Sequence, residues 1–148
     1  MARPYIGGTS GGVESVDAAK TIVPADNGKT FMVTDTGSAG YTVTLPTPAN
    51  AGIGFSCKFI VNCAVGSTLS NSAGEDVVFN DGQTDVMVVN YIDAADTGAV
   101  SLVHDRQADT VAFDHTCVTG DSIEFFTDGT LWFAMGLSGV DGGILVAT

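Results

Sequence analysis

The chain has 148 residues, 45% of them hydrophobic, and sets 17 acidic residues against five bases for a formal net charge of −12. This length and apolar content suffice for one core and argue against a disordered chain. The bases, Arg3, Lys20, Lys29, Lys58 and Arg106, are scattered, whereas phosphate backbones and anionic membrane surfaces both demand clustered cations.

Met1–Gly12 holds Arg3, Pro4, Tyr5 and Ile6 ahead of two Gly-Gly pairs. It reads either as a frayed terminus or as an extended arm that orders on a neighbouring subunit. The expected organisation is therefore an arm over 1–12 and a single domain over 13–148. The N-terminus has no apolar stretch of the kind a secretory signal needs, and no run reaches the ~18 apolar residues of a membrane helix. Synthesis in a cytosol is the corresponding expectation.

Within Val13–Lys20, VDAAK suggests one helical turn. Beyond it the pattern is strand, turn, strand. Thr21–Val23 is a short strand closed by Pro24, and Asn27-Gly28 marks a turn. Thr30–Thr34 is a strand and Asp35–Gly40 a polar loop. Tyr41–Leu45 alternates, with Tyr41, Val43 and Leu45 on one face, and Pro46 and Pro48 end it because proline cannot donate to a ladder. Ala49–Gly54 is a loop. Phe55–Cys63 puts Phe55, Cys57, Phe59, Val61 and Cys63 on one face.

Short strands follow at Ser67–Ser70, Asp76–Phe79, Val86–Tyr91 and Ala99–Val103, with one more within Asp109–Val118 and an apolar Ile144–Val146 near the C-terminus. About ten short strands at roughly ten-residue spacing predict an all-β fold, an antiparallel sandwich or barrel. The 19 glycines serve as turn punctuation. Cys57 and Cys63, six residues apart in one extended strand, stand roughly 20 Å apart. That is too far for a disulfide, so the three cysteines read as buried thiols, with at most one bridge to Cys117.

The most informative stretch is Ser122–Ser138, SIEFFTDGTLWFAMGLS. Asp128-Gly129 predicts a two-residue type I′ turn, which pairs Phe125 with Trp132 and Phe126 with Leu131. One face then carries Ile123, Phe125, Trp132 and Ala134. The other carries Phe126, Leu131, Phe133 and Met135, interrupted by Glu124, for which Lys58 and Arg106 are the candidate partners. A half-exposed hairpin would be apolar on one face only. The second face requires a cover, and Phe126, Leu131, Phe133 and Met135 are assigned to packing between subunits.

Catalytic chemistry finds little support. His104, Asp105, Arg106, Asp109, Asp114, His115 and Cys117 contain zinc-ligand residue types, but their spacing matches no usual zinc pattern. His115 and Cys117 on one strand point in parallel and do not converge as base and nucleophile. The acid-rich stretches Asp81–Asp85 and Asp93–Asp96 lack the calcium-loop pattern. Trp132, with Tyr41 or Tyr91, offers a sugar-stacking platform, although aromatic residues in strands are more often core. The expectation is a protein that is not an enzyme, with no catalytic residues, no cofactor and no metal.

Two phrases carry a resemblance: VPADNGKTFMVTDTGSAGYTVTLPTPANAGIGFSCKFIV from Val23 to Val61, and GDSIEFFTDGTLWFAMGLSG from Gly120 to Gly139. They resemble bacteriophage virion proteins, namely the small capsid decoration (cement) proteins and β-rich domains of tail fibres and appendages. The resemblance implies a homotrimer of β-barrel or β-tulip subunits on the capsid exterior. Such a trimer would bind the major capsid protein and stabilise the shell against packaged DNA, with the arm residues Arg3, Pro4, Tyr5 and Ile6 as capsid contacts. The alternative implied is a head-fibre or tail-fibre domain that binds a host receptor or glycan.

Overall fold

Alternating burial defines the strands. In Ser56–Val61 every second side chain is buried, and the same period recurs in Val77–Asn80 and Ser122–Thr127. A computed structural model of the chain describes residues 12–34, 39–70, 74, 76–94 and 100–148. The strands are β1 (Val13–Val16), β2 (Lys20–Thr21), β3 (Thr30–Val33), β4 (Tyr41–Thr44), β5 (Ser56–Val61), β6 (Val77–Asn80), β7 (Met87–Ala94), β8 (Val100–Ala108), β9 (Thr110–Phe113), β10 (Ser122–Thr127), β11 (Trp132–Leu137) and β12 (Ile144–Ala147). One sheet has seven strands in the order β1-β3-β5-β10-β11-β7-β8, and the other has five in the order β12-β9-β6-β4-β2.

The all-β expectation holds, but the antiparallel one is corrected. Pairs β1·β3, β3·β5, β2·β4, β4·β6 and β7·β11 are parallel. From β1 to β6 the chain visits the two sheets in turn, so strands two apart in sequence become parallel neighbours. Hairpins arise only later, at β7·β8 and β10·β11. At Asp109 the chain leaves the seven-stranded sheet after β8 and enters the other as β9.

The sheets meet over an aromatic core centred on Phe79 of β6. Its ring lies 4.6 Å from Phe59, 5.3 Å from Phe125 and 5.6 Å from Phe113, and Phe31 stacks on Phe59 at 4.9 Å. All five rings are fully buried. The predicted inward face of Phe55, Cys57, Phe59, Val61 and Cys63 is buried throughout, as are Val43 and Leu45.

Three local expectations are corrected. VDAAK, Val16–Lys20, forms no helical turn but a bend that joins β1 to β2; β1 runs parallel to β3, and Lys20 and Lys29 hold the Glu14 carboxylate at 2.6 and 3.2 Å. Ladder pairing wins because one isolated helical turn is too short to nucleate. Pro48–Ala51 forms a helical turn, α1, where a loop was expected. Pro48 sits in its first turn and the Thr47 hydroxyl accepts the Asn50 amide, an N-cap arrangement. Ser67–Ser70 forms only the isolated bridge Thr68 to Val118. Among the described residues, no helix is long and apolar enough to cross a membrane.

Candidate functional site

The β10–β11 hairpin exists, but in a different register. Thr127 pairs with Trp132, Phe126 with Phe133, Phe125 with Ala134 and Glu124 with Met135. The loop is therefore Asp128–Leu131 and not a two-residue type I′ turn. The cause is the Asp128 carboxylate, whose Oδ1 accepts from the amides of Thr130 and Leu131, each at 2.8 Å. This side-chain turn needs a positive φ only at Gly129, which has +90°. The shift is two residues, an even number, so each strand residue keeps its face.

The inner face, Ile123, Phe125, Trp132 and Ala134, is fully buried. On the outer face Phe126 and Phe133 stack with ring centroids 4.9 Å apart and planes within 12°. Phe126 and Met135 are exposed, and Phe133 is half-buried. Leu131 departs from its assignment: it lies in the loop, half-buried, and pairs with no residue across the hairpin. Glu124 also faces outward, with Lys58 of β5 directly opposite in the register. Arg106 lies on β8, three strands away from β10.

The outer face extends beyond the hairpin. The parallel pairing of β11 with β7 sets Leu137 beside Ile92, and β7 with β8 sets Ile92 beside Leu102. Met135, Leu137 and Leu102 are 59%, 55% and 73% exposed. Sequence reasoning missed Leu137, Ile92 and Leu102 because the β11–β7 pairing that brings Leu137 beside the other two joins segments 45 residues apart. The arm residues Arg3, Pro4, Tyr5 and Ile6 lie outside the described residues.

The His104–Cys117 group is dispersed. His104 sits on the exposed face of β8, with its Nδ1 against the Asn90 side chain. Cys117 is buried and donates to the Gly143 carbonyl. His115 instead meets Asp114 and, from far upstream, Asp76. The Asp114 carboxyl is held below its ordinary range: burial raises it, but the hydrogen bonds from Thr116 and the electrostatic attraction of the neighbouring His115 ring outweigh that effect. All three cysteines are free and buried. Burial pushes the Cys57 thiol up to about 12, and the nearby Asp26 and Glu124 add to it. That is the opposite of an activated nucleophile.

Trp132 is also reassigned. It is fully buried, lies edge-on to Phe55 and Phe125, and donates its Nε1–H to the Pro46 carbonyl at 3.1 Å. No sugar can stack on it.

Of the acid-rich stretches, Asp93 is buried with its Oδ2 accepting from Gly142, and Asp96 lies outside the described residues. Asp81 is buried as well. Its Oδ1 accepts from the Gln83 amide, while Oδ2 has no hydrogen-bond partner. Burial raises the Asp81 carboxyl, and Asp109 adds to the effect. A carboxyl raised in the folded state takes up a proton on folding between its unfolded and folded pKa values, so its stability contribution falls as pH rises through that window. Asp81→Asn is therefore expected to be more stable than the wild type at pH 7, with the difference shrinking towards pH 4. Thermal melts across that range check it, and a pH-independent difference contradicts it.

No protein-family model, curated protein or solved structure matches this chain.

Proposed function

We propose that this chain is a structural virion subunit, a homotrimer that binds the outer surface of a bacteriophage capsid and stabilises the shell against internal DNA pressure. The observation that carries the reading is the apolar outer face of the seven-stranded sheet. Phe126, Phe133, Met135, Leu137, Ile92 and Leu102 lie side by side across four strands, five of them counted as exposed. Contiguous apolar surface of this kind is characteristic of a protein–protein contact.

A second copy of the chain fits this face on charge. At a net charge of −12, copies repel unless the contact is poor in acids. The hairpin presents one acid here, Glu124, and the register sets Lys58 beside it. A face with both signs next to each other can meet its own copy without a like-charge clash. The threefold stoichiometry, the capsid partner and the role of Arg3, Pro4, Tyr5 and Ile6 come from the phage-like phrases of the sequence. Multivalent attachment of each trimer to several coat subunits would then resist expansion of the shell.

Sedimentation of the full chain tests the packing step. The wild type is expected at three times the 15.1 kDa chain mass, and Phe133→Asp as monomers or aggregates. A soluble trimer of Phe133→Asp refutes the packing assignment. Removal of residues 1–11 tests the attachment step. It spares Gly12, whose carbonyl accepts the Thr30 amide beside β1, so the trimer should persist while capsid binding is lost. Unchanged capsid binding would sink the role given to the arm.

A further inference from the structure

The five-stranded sheet ends in a juxtaposition that its pairing makes unavoidable. Strands β6 and β9 are antiparallel with Val77 opposite Phe113. The residues one step beyond, Asp76 and Asp114, therefore flank the same end of the pair, with His115 next in the chain. Like charges placed across a strand pair are destabilising.

The three side chains converge. Their ligand atoms all lie within 4.8 Å of one another. His115 Nδ1 is 3.0 Å from Asp114 Oδ1 and 4.0 Å from Asp76 Oδ1. That nitrogen is buried and has no hydrogen-bond partner of acceptable geometry. A ring nitrogen shielded from solvent and facing two carboxylate oxygens is a donor set suited to a cation.

Both carboxylates are already oriented. Asp114 Oδ1 accepts from the Thr116 amide at 2.9 Å and the Thr116 hydroxyl at 2.6 Å, and Asp76 Oδ1 accepts from the His115 amide at 3.1 Å. Such supporting bonds fix metal ligands in place before the ion arrives. The two separations from His115 Nδ1, 3.0 and 4.0 Å, lie either side of the roughly 3.3 Å edge of a tetrahedron with metal–ligand bonds of about 2.0 Å, and the third is within 4.8 Å. Asp76 also lines two shallow surface grooves, one beside Tyr41 and Thr42 and one beside Thr110 and Ala112, so the position can be reached from solvent.

We propose that Asp76, Asp114 and His115 bind one divalent transition-metal ion of the zinc class, with a fourth position open to water. One imidazole nitrogen and two carboxylates favour zinc or cobalt over calcium, which takes six or more oxygens. The ion neutralises the paired aspartates and ties β6 to β9, so its role is to hold the sheet end together.

The experiment uses the full chain stripped of metal with a chelator. Added Zn2+ should bind at one equivalent and raise the melting temperature by about 5 °C. Co2+ should give the visible absorption of a tetrahedral nitrogen and oxygen site without the near-ultraviolet band of thiolate ligation. Asp76→Asn and Asp114→Asn, which keep the side-chain shape, should abolish the rise, whereas His104→Ala should retain it. Substoichiometric Zn2+ binding with no rise overturns the proposal. So does a thiolate band, or an equal rise from Ca2+ in His115→Ala. If an Asn variant fails to fold, the Co2+ spectrum of the wild type decides between these outcomes.

Discussion

Replacement of Trp132 by alanine is expected to cost about 3–5 kcal/mol of folding stability, among the largest losses available to a single substitution in this chain. The indole is fully buried, with ring centroids 5.7 Å from Phe55 and 6.2 Å from Phe125, both edge-on. Alanine leaves a cavity between β11, Phe125 of β10 and Phe55 at the entrance to β5, because strand residues around it cannot collapse inward without breaking ladder bonds. It also strips the Pro46 carbonyl of its donor. Trp132→Phe retains most of the packing and loses mainly the hydrogen bond, so it should cost about 1–2 kcal/mol. Urea unfolding followed by circular dichroism measures both, and an unchanged midpoint for the alanine variant contradicts the packing account. One functional consequence follows. Loss of glycan binding in Trp132→Ala would report unfolding and not a lost sugar platform, so the receptor-binding alternative must be tested with a residue that reaches solvent.

The same hairpin explains what the sequence could and could not disclose. Its inner face was legible because burial follows the two-residue period of a strand, and that period is local. Phe126, Phe133 and Met135 kept the outer face despite an incorrect turn assignment because the register error was even, whereas Leu131 passed into the loop. The turn itself was misread because Asp-Gly fits two geometries. In one, Asp adopts a positive φ; in the other its carboxylate accepts the following amides, as Asp128 does here from Thr130 and Leu131. Parallel pairing left no local mark at all. Nothing in the composition of β3 or β5 says that the intervening β4 belongs to the opposite sheet.

The His–Asp cluster was hidden for a related reason. Asp114 and His115 were singled out with Cys117 and His104 because those residues are close in the chain. The actual third member, Asp76, lies 39 residues from His115 and arrives only through the β6–β9 register. An Asp immediately before one strand and another immediately after a second is a common pattern, and it becomes a site only if the two strands pair in antiparallel fashion at that register. The available sequence signal was the predicted strand at Asp76–Phe79, and it carried no information about its neighbour.

Asp121→Ala is expected to match the tryptophan variant in size for a different reason. Asp121 is buried at the start of the hairpin. Its Oδ1 accepts the Gly139 amide at 2.8 Å, and its Oδ2 accepts the Val118 amide at 2.9 Å and the Ser138 hydroxyl at 3.1 Å. One carboxylate thus clips the loop entering β10 to the loop leaving β11. Alanine removes both acceptor oxygens and all three hydrogen bonds at once. The Ser138 hydroxyl has a second acceptor in the Val140 carbonyl, but the two amides do not share it. With hydrogen bonds to a charged group worth about 1.5–3 kcal/mol each, a loss of about 3–4 kcal/mol is expected. Asp121→Asn retains one oxygen for one amide and turns an N–H towards the other, so it should recover only part of that loss. Hydrogen exchange separates this account from general loosening: the Val118 and Gly139 amides should lose protection first, while amides in the β5–β10 ladder such as Phe125 stay protected until global unfolding. Unchanged protection at Gly139 would show that the clip is not what holds the loops. Because Leu137 of the apolar outer face lies immediately before Ser138, release of the clip should also weaken the proposed self-association before the core unfolds.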